Sequence, residues 1–159
     1  MRGPMNPSTN HDCGVLTEGF DEHPVFLTPW NPPYYDALLQ VAGMTPAKDL
    51  LGYWLPDGEP GNALPARLDA LARRAAAKAN MVFRDLEPRQ FWDDVERCWE
   101  IYNSAWERNW GFVPMTRDEF LHMARSLKPL LVPQFAFLAE VNGQPAGFML
   151  CAPDFNVVL

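Results

Sequence analysis

The tight-turn signal Asn142-Gly143, which lies between two apolar runs, constrains the fold of this chain more than any other sequence feature. Both central residues of a type I′ turn need positive φ, so Asn-Gly between apolar segments is the strongest short-range signal for a β-hairpin. We therefore predict antiparallel strands over residues 134–141 and 144–151. The simple two-residue register predicts three facing pairs, which are Val141 with Gln144, Ala139 with Ala146, and Phe137 with Phe148.

Two helices are predicted ahead of the hairpin. Residues 88–109 repeat apolar side chains at helical spacing, and Pro88 suits a first helical turn because the N–H that proline lacks would have no helical partner there. Thr116 and Glu119 have the spacing of a capping box, in which each side chain accepts a hydrogen bond from the other residue's backbone N–H, so a second helix starts there. Its predicted apolar face consists of Phe120, Met123, Ala124 and Leu127.

The segment PDGEPGN at residues 56–62 divides the chain, because its prolines and glycines favour neither a helix nor a central strand. Ahead of it we predict a short helix over residues 34–42, with Gly43 as its C′ residue. Behind it we predict a connecting helix that is capped by Asn62 and runs to about Ala79. Short strands are predicted over residues 14–18, 24–28, 48–55 and 81–86.

Together these elements predict an α/β (α+β) chain with a mixed, mostly antiparallel sheet and helices packed on it. Hydrophobic residues make up 48% of the 159 residues and charged residues 21%, which is a globular rather than a disordered composition. The net charge of −7 argues against nucleic acid as a partner, because binding a phosphate backbone requires cationic side chains. No apolar run approaches the length of a membrane span, so a membrane is not an expected partner either.

The three cysteines, Cys13, Cys98 and Cys151, are widely spaced and form no CxxC pair. This pattern predicts neither a metal site nor a disulfide framework, and a reducing cytoplasm is the expected location. His11 and Asp12 precede Cys13 directly and superficially suggest nucleophilic catalysis. Such catalysis depends on spatial geometry rather than sequence adjacency, so we assign these residues no catalytic role.

The order of strand, long helix, second helix and Asn-Gly hairpin resembles the opening of a GNAT-type N-acetyltransferase domain. The segments YNSAWERNWGFVPMT (102–116) and AEVNGQPAGFMLCAPD (139–154) are similar to a bacterial family of GNAT-like proteins with tandem acyltransferase-like domains. The segments VFLTPWNPPYYDALLQVAGM (25–44) and DLLGYWL (49–55) are similar to the end of a preceding domain of that kind.

This resemblance implies three parts. Residues 1–55 would be the C-terminal portion of a first GNAT-like domain, residues 56–79 a linker and connecting helix, and residues 80–159 the N-terminal half of a second domain. In the family the chain continues into a (Q/R)-x-x-G-x-G/A loop, which cradles the coenzyme A pyrophosphate at a helix N-terminus. No such loop occurs in residues 1–159, so the resemblance implies a fragment of a longer protein that is inactive by itself.

The function that the resemblance implies is part of an N-acyltransferase that moves an acyl group from acyl-CoA to a small-molecule amine, with acetyl-CoA as the co-substrate. A neutral amine attacks the thioester while water or a carboxylate takes its proton. The alternative is a non-catalytic GNAT-like module that binds a ligand or a protein. A glycine loop beyond Leu159 would favour the enzyme, and its absence would favour the module. A homo-oligomer is a further expectation.

The resemblance also implies that the turn between the two helices lies over the acceptor cleft. The predicted wall residues of the acceptor pocket are Tyr102, Asn103, Trp106, Asn109, Trp110 and Phe112. The alternative interpretation of these residues is core packing together with a turn that ends a helix. The polar and aromatic NWGF turn has no evident packing need, so it is the segment that most favours a functional site.

Asn31 falls where the family often has an asparagine near the cofactor, so the resemblance implies a cofactor contact there. The tyrosine that often follows as a general acid has no clean match, since Leu39 or Gln40 occupies its position and Tyr34 and Tyr35 come about a turn earlier. No catalytic residue is therefore assigned. Glu140, an isolated acid in an apolar strand, has two interpretations: a buried base with a raised pKa, or a solvated residue beside the turn.

Overall fold

The computed structural model describes residues 2–54 and 66–157, and these residues form a mixed α+β architecture in which the strands pair antiparallel, in line with the predicted fold class. In chain order the elements are β1 (Met5–Asn6), β2 (Asp12–Cys13), α1 (Tyr35–Val41), α2 (Ala66–Lys78), β3 (Met81–Asp85), α3 (Phe91–Trp106), α4 (Arg117–Leu127), β4 (Ala136–Val141) and β5 (Gln144–Leu150). A 3-10 turn over Pro88–Gln90 precedes α3. Among the helices of these residues, none has both the length and the apolarity needed to cross a membrane.

The main sheet has the strand order β3-β4-β5. At the hairpin, Val141 faces Gln144, as the simple register predicts, and Glu140 faces Pro145. Further along, the predicted register was wrong by one residue, because the observed pairs are Ala139 with Gly147 and Phe137 with Met149 rather than with Ala146 and Phe148. A β-bulge between Ala139 and Glu140 causes the shift, since Ala146 is an extra residue on β5. Pro145 next to it has no N–H to contribute to a regular ladder.

The core lies between this sheet and the helix pair α3–α4. Alternate β4 residues point toward the helices, and Ala136 and Leu138 are 3% and 1% exposed. The buried cluster comprises Leu86, Phe91, Val95, Met115, Phe120, Ala124, Ala136 and Leu138. Because Met115 follows directly after the α3–α4 connection (residues 107–114), core packing fixes the far end of that connection.

The predicted start of α4 is confirmed. The Glu119 amide donates to Thr116 Oγ1 at 3.3 Å, and the Thr116 amide donates to Glu119 Oε2 at 2.8 Å, which completes the capping box. Met115 and Phe120 on either side of the cap are 3% and 5% exposed. These positions match a hydrophobic staple, which sets the angle at which the chain enters the helix.

The predicted end of α1 is also confirmed. Gly43 has φ +82°, a conformation that side chains with a Cβ rarely adopt. Its amide donates to the Gln40 carbonyl at 2.9 Å, and the Met44 amide donates to the Leu39 carbonyl at 3.0 Å. These two bonds define a Schellman motif and satisfy carbonyls that the helix leaves open.

Three predicted strands are wrong over the described residues, because 14–18, 24–28 and 48–54 form no strand. A strand needs a partner for its backbone groups, and no described strand pairs with these segments. Apolar β-type residues were the signal in 48–54, where Leu50, Leu51, Tyr53 and Trp54 are 70–82% exposed. The last residue of that predicted strand, the PDGEPGN segment and the predicted Asn62 cap lie outside the described residues.

Candidate functional site

The aromatic site consists of Tyr102, Trp106, Trp110 and Phe112, at the end of α3 and in the α3–α4 connection. The Trp106 ring stacks on Tyr102 with centroids 5.9 Å apart, and Phe112 meets Tyr102 edge-on at 5.6 Å. Phe120 from the core lies 5.8 Å from Tyr102 on a tilted plane. Trp106 and Trp110 remain 48% and 43% exposed. Tyr102 therefore anchors Trp106 and Phe112 to the core, and the indole rings of Trp106 and Trp110 are both open to solvent.

A second segment, which we call the strap (residues 2–13, containing β1 and β2), docks on this connection. Asn10 makes two bonds, in which its Oδ1 accepts from the Tyr102 hydroxyl at 2.8 Å and its Nδ2 donates to the Val113 carbonyl at 2.7 Å. Thr9 Oγ1 donates to the Gly111 carbonyl at 2.9 Å. Three bonds between residues far apart in sequence therefore hold the strap against the aromatic site.

Gly111 permits this docking. Its φ is +71°, and a Cβ at that position would lie 3.3 Å from Thr9 Cγ2. Glycine therefore serves both the turn conformation and the close approach of the strap.

The strap also brings charge to the site. The guanidinium of Arg2 lies over the Trp110 ring, with its carbon 5.5 Å from the ring centroid. Hydrogen bonds from the Thr116 hydroxyl and amide lower the pKa of Glu119, and the nearby His11 of the strap acts in the same direction. His11 Nδ1 lies 3.3 Å from Ser8 Oγ, while Asp12 and Cys13 are in β2.

Tyr102 is the polar group at the centre of the aromatic site. Burial raises the pKa of its phenol, so the ring carries its proton at neutral pH. That proton is donated to Asn10. Tyr102 thus acts as a fixed hydrogen-bond donor rather than as a base.

Asn103 supports the connection from the inside. Its Nδ2 donates to the Met115 carbonyl at 3.0 Å, and its Oδ1 accepts from the Met115 amide at 2.9 Å. Trp99 Nε1 donates to the same carbonyl at 2.9 Å. The amide of Asn103 is therefore used to hold the turn, whereas Asn109 is exposed at its surface.

Asn31 is buried, with 6% exposure, in another part of the chain. Its Oδ1 accepts from the Leu16 amide at 2.7 Å, and its Nδ2 donates to the carbonyls of Leu16 at 3.2 Å and Pro32 at 3.0 Å. Both N–H groups of the side chain are thus bonded to the backbone. A cofactor contact through Asn31 stays a prediction.

Sequence reasoning missed the charged centre beneath the sheet. Asp94 is fully buried and binds Arg84 through two bonds of 3.0 and 2.6 Å, and Arg97 through one of 2.7 Å. Arg84 Nε also donates to Glu140 Oε1 at 3.1 Å. Glu140 is therefore an ion-pair partner, with its side chain 24% exposed, rather than an isolated base or a fully solvated acid.

One signal for this centre was present in the sequence. Asp94 lies three residues after Phe91 and directly before Val95, so it falls on the apolar stripe of α3. A carboxylate on a buried stripe requires a cationic partner. The sequence does not say which arginine supplies it.

The three cysteines and His122 are the remaining titratable side chains to consider. The described residues hold Cys13, Cys98 and Cys151 as free thiols. Burial, with the charge of Asp94, raises the pKa of Cys98 to about 12, so this thiol is not an activated nucleophile. His122 is exposed on α4.

Comparison with known proteins finds two similar proteins and assigns the chain to no family. The chain is 31% identical over 158 residues to Protein YghO of Escherichia coli (strain K12), a match that covers 98% of this chain and 39% of that protein. It is 32% identical over 154 residues to the bacterial ceramide synthase of Caulobacter vibrioides (strain NA1000 / CB15N), covering 97% of this chain and 39% of that protein. The chain thus spans about two fifths of the length of these relatives. No protein-family model and no solved structure matches the chain.

Proposed function

We propose that this chain is part of a GNAT-like N-acyltransferase and forms the acceptor side of its site. The reaction transfers an acyl group from acyl-CoA to an amine. The order of β3, α3, α4 and the β4–β5 hairpin supports a partial GNAT fold, in which residues 80–159 are the first half of a domain. The observation that carries the proposal is the aromatic site, because the large rings of Trp106 and Trp110 stay 48% and 43% exposed between Tyr102 and Met115, which anchor the two ends of this stretch in the core.

The name of one relative supports the same chemistry. A ceramide is a long-chain amino alcohol that carries an acyl group on its nitrogen, so a ceramide synthase forms an amide bond. The relative with that name matches 97% of this chain. We therefore propose a long-chain amine as the acceptor. Three free cysteines support a reducing, cytoplasmic location for the protein.

The residues of the aromatic site have definite roles in this proposal. The indole rings of Trp106 and Trp110 give the acceptor an apolar surface and exclude water from one side of it. Tyr102 and Asn10 fix the position of the surface through their hydrogen bond. The amine must lose its proton before it attacks, and water accepts that proton because Glu140 is held by Arg84. No catalytic side chain is assigned.

Acyl-CoA needs a phosphate cradle, which consists of successive amides at a helix N-terminus. The glycines with positive φ in the described residues are Gly14, Gly19, Gly43, Gly111 and Gly143, and no two of them are neighbours in the sequence. The described residues therefore do not fit the pyrophosphate. In the proposal, acetyl-CoA or a longer acyl-CoA binds a part of the protein outside this chain.

Calorimetry with the purified chain tests the acceptor role. We expect saturable binding of sphinganine, a long-chain amino alcohol, and weak or no binding of acetyl-CoA. Trp106→Ala should weaken sphinganine binding about threefold to tenfold, because one aromatic contact is lost. Trp92→Ala is the matched control, since Trp92 is 40% exposed at the other end of α3. Absence of amine binding would refute the acceptor site, and saturable acetyl-CoA binding would refute a cradle outside this chain.

A ligand-binding module without catalysis is the alternative, and the isolated glycines favour it. The coding DNA on both sides of residues 1–159 discriminates between the two. A reading frame that continues into a (Q/R)-x-x-G-x-G/A loop, and whose product forms an amide from acyl-CoA and sphinganine, supports the enzyme. A protein without this loop and without amide formation supports the module.

A further inference from the structure

Arg2 and Trp110 form a contact that neither the core nor a helix end requires. The Arg2 guanidinium carbon lies 5.5 Å from the centroid of a ring that is 43% exposed. The bonds from Thr9 to Gly111 and from Asn10 to Val113 hold the strap on the residues that follow Trp110. The cation is thus delivered to Trp110 by a segment that is distant in the sequence.

Two other cationic side chains, Arg125 and Lys128, also lie over a tryptophan ring, but their position has a local cause. Arg125 lies 5.6 Å from the Trp92 ring centroid, and Lys128 lies 5.1 Å from it. These two residues are at the end of α4, where the helix dipole itself favours positive charge. No comparable local reason places Arg2 over Trp110, since Arg2 is outside any helix.

An aromatic face that holds a guanidinium also holds an alkylammonium ion, because both are attracted by the negative potential above the ring, and tryptophan is the best of the aromatic side chains for this purpose. A primary alkylamine has a pKa near that of lysine, about 10.4, so it arrives as the ammonium ion at neutral pH. The net charge of −7 raises the local concentration of such a cation.

We propose that the face of Trp110 over which Arg2 lies is the subsite for the ammonium group of the acceptor, and that Arg2 occupies this subsite as an internal competitor. This inference rests on the proposed function, because it takes the acceptor to be an amine. Opening of the strap would release the subsite. The step is one of binding, so no covalent bond forms or breaks.

The connection and the strap carry other charged groups besides Arg2. Arg108 and Glu107 lie exposed on the same connection, and His11 and Glu119 lie at the junction of strap and α4. Arg108 is the matched control for Arg2, since it carries the same charge on the same connection. An effect of net charge alone would appear equally in Arg108→Ala and in Arg2→Ala.

The test is an NMR titration of the full 159-residue chain with hexylammonium chloride, followed at the tryptophan indole N–H signals. The signal of Trp110 is identified by its loss in Trp110→Leu. We expect Arg2→Ala to bind hexylammonium about twofold to fivefold more tightly than the unmodified chain, which corresponds to the loss of an exposed cation–π competitor. Arg108→Ala and Arg2→Lys should bind as the unmodified chain does, and neutral hexan-1-ol should not distinguish the variants.

Three outcomes would overturn the inference: unchanged affinity in Arg2→Ala, an equal gain in Arg108→Ala, or a hexan-1-ol affinity that also rises in Arg2→Ala. Each of these leaves the proposed function standing if sphinganine still binds. Arg2→Ala can also show the expected gain while every longer version of the protein fails to produce an amide. In that case the subsite is supported and the proposed acyltransferase function is refuted.

Discussion

The carboxylate of Asp94 joins three elements through its hydrogen bonds. It is fully buried at the start of α3, and its partners are Arg84 on β3 and Arg97 one turn further along α3, while Arg84 extends the contact to Glu140 on β4. The Glu87 amide donates to the same carboxylate at 3.2 Å. These donors offset the free-energy cost of burying the carboxylate. Each of them in turn loses a hydrogen-bond acceptor if the carboxylate is removed.

We therefore predict that Asp94→Asn lowers the free energy of unfolding by about 2 to 4 kcal/mol at pH 7, because it leaves two arginines without their carboxylate. The lower bound reflects the partial exposure of Arg84 and Arg97. Urea unfolding followed by tryptophan fluorescence measures this change. Asp93→Asn is the control, since Asp93 is exposed on the same turn and should cost less than about 1 kcal/mol. Equal losses in the two variants would contradict the prediction.

The same site predicts a pH dependence. Burial acts to raise the pKa of Asp94, but hydrogen bonds from Arg84, the Glu87 amide and Arg97 outweigh it, so the pKa lies below its usual value. The unfolded carboxyl titrates near pH 3.9. The stabilisation is therefore fully present above that pH and is lost as the pH falls through the folded pKa. The loss of stability below about pH 4 should be shallower in Asp94→Asn than in Asp93→Asn.

At the level of elements, the helix caps at Gly43 and Thr116 and the hairpin turn were predicted correctly, because each depends on residues that are close in the sequence. Thr116 and Glu119 are three residues apart, and Gly43 directly follows a helix, so each of these caps depends on a few neighbouring residues. The hairpin turn was predicted for the same reason. Its register could not be predicted beyond Glu140, because a bulge reflects the fit of β5 to β4 over its whole length.

The strap could not be predicted from local patterns. Asn10 and Tyr102 are 92 positions apart, and nothing near either residue marks the other as a partner. Of the predicted wall residues, Tyr102, Trp106, Trp110 and Phe112 do lie on or beside one connection, whereas Asn103 turns inward to Met115. The acceptor wall that the resemblance implies stays a prediction, and the contacts of each side chain could be read only from the three-dimensional structure.

We predict that Asn10→Ala releases the strap. The variant loses one hydrogen bond to Tyr102 on α3 and one to Val113 of the α3–α4 connection, which corresponds to about 1 to 3 kcal/mol of docking free energy. Hydrogen exchange measured by mass spectrometry should show faster exchange across residues 2–13. Asn6→Ala is the matched control, because Asn6 is an exposed asparagine of the same strap in β1. Unchanged exchange in Asn10→Ala would mean that other contacts hold the strap in place.

At the scale of the whole molecule, α3 and α4 cover one face of the main sheet, and the described residues leave the other face largely open. Phe83 on β3 and Met149 on β5 are 63% and 62% exposed. The register aligns Phe83 with Ala139, and Met149 with Phe137, so apolar side chains from all three strands share this open face. Contiguous exposed apolar surface of this kind marks a contact site.

This face is the candidate contact surface for the expected homo-oligomer, which stays a prediction. Burial of apolar area drives association, and within the described residues β5 leaves one edge without a paired strand. The charge of −7 opposes association through repulsion at a distance, so contact should strengthen as salt screens it. Reversible self-association that grows with salt is therefore the behaviour that this surface predicts.

Phe83→Lys tests the contact. Placing an ammonium group on the β3 side of the open face should prevent burial of that face, and the chain should then sediment as a monomer at concentrations where the unmodified chain associates. Val41→Lys is the control, because Val41 is 87% exposed at the end of α1 and receives the same charge. Sedimentation velocity at several protein and salt concentrations measures both variants. If Phe83→Lys still associates as strongly as Val41→Lys, the contact does not use this face, and the exposed apolar segment at residues 50–54 becomes the next surface to substitute.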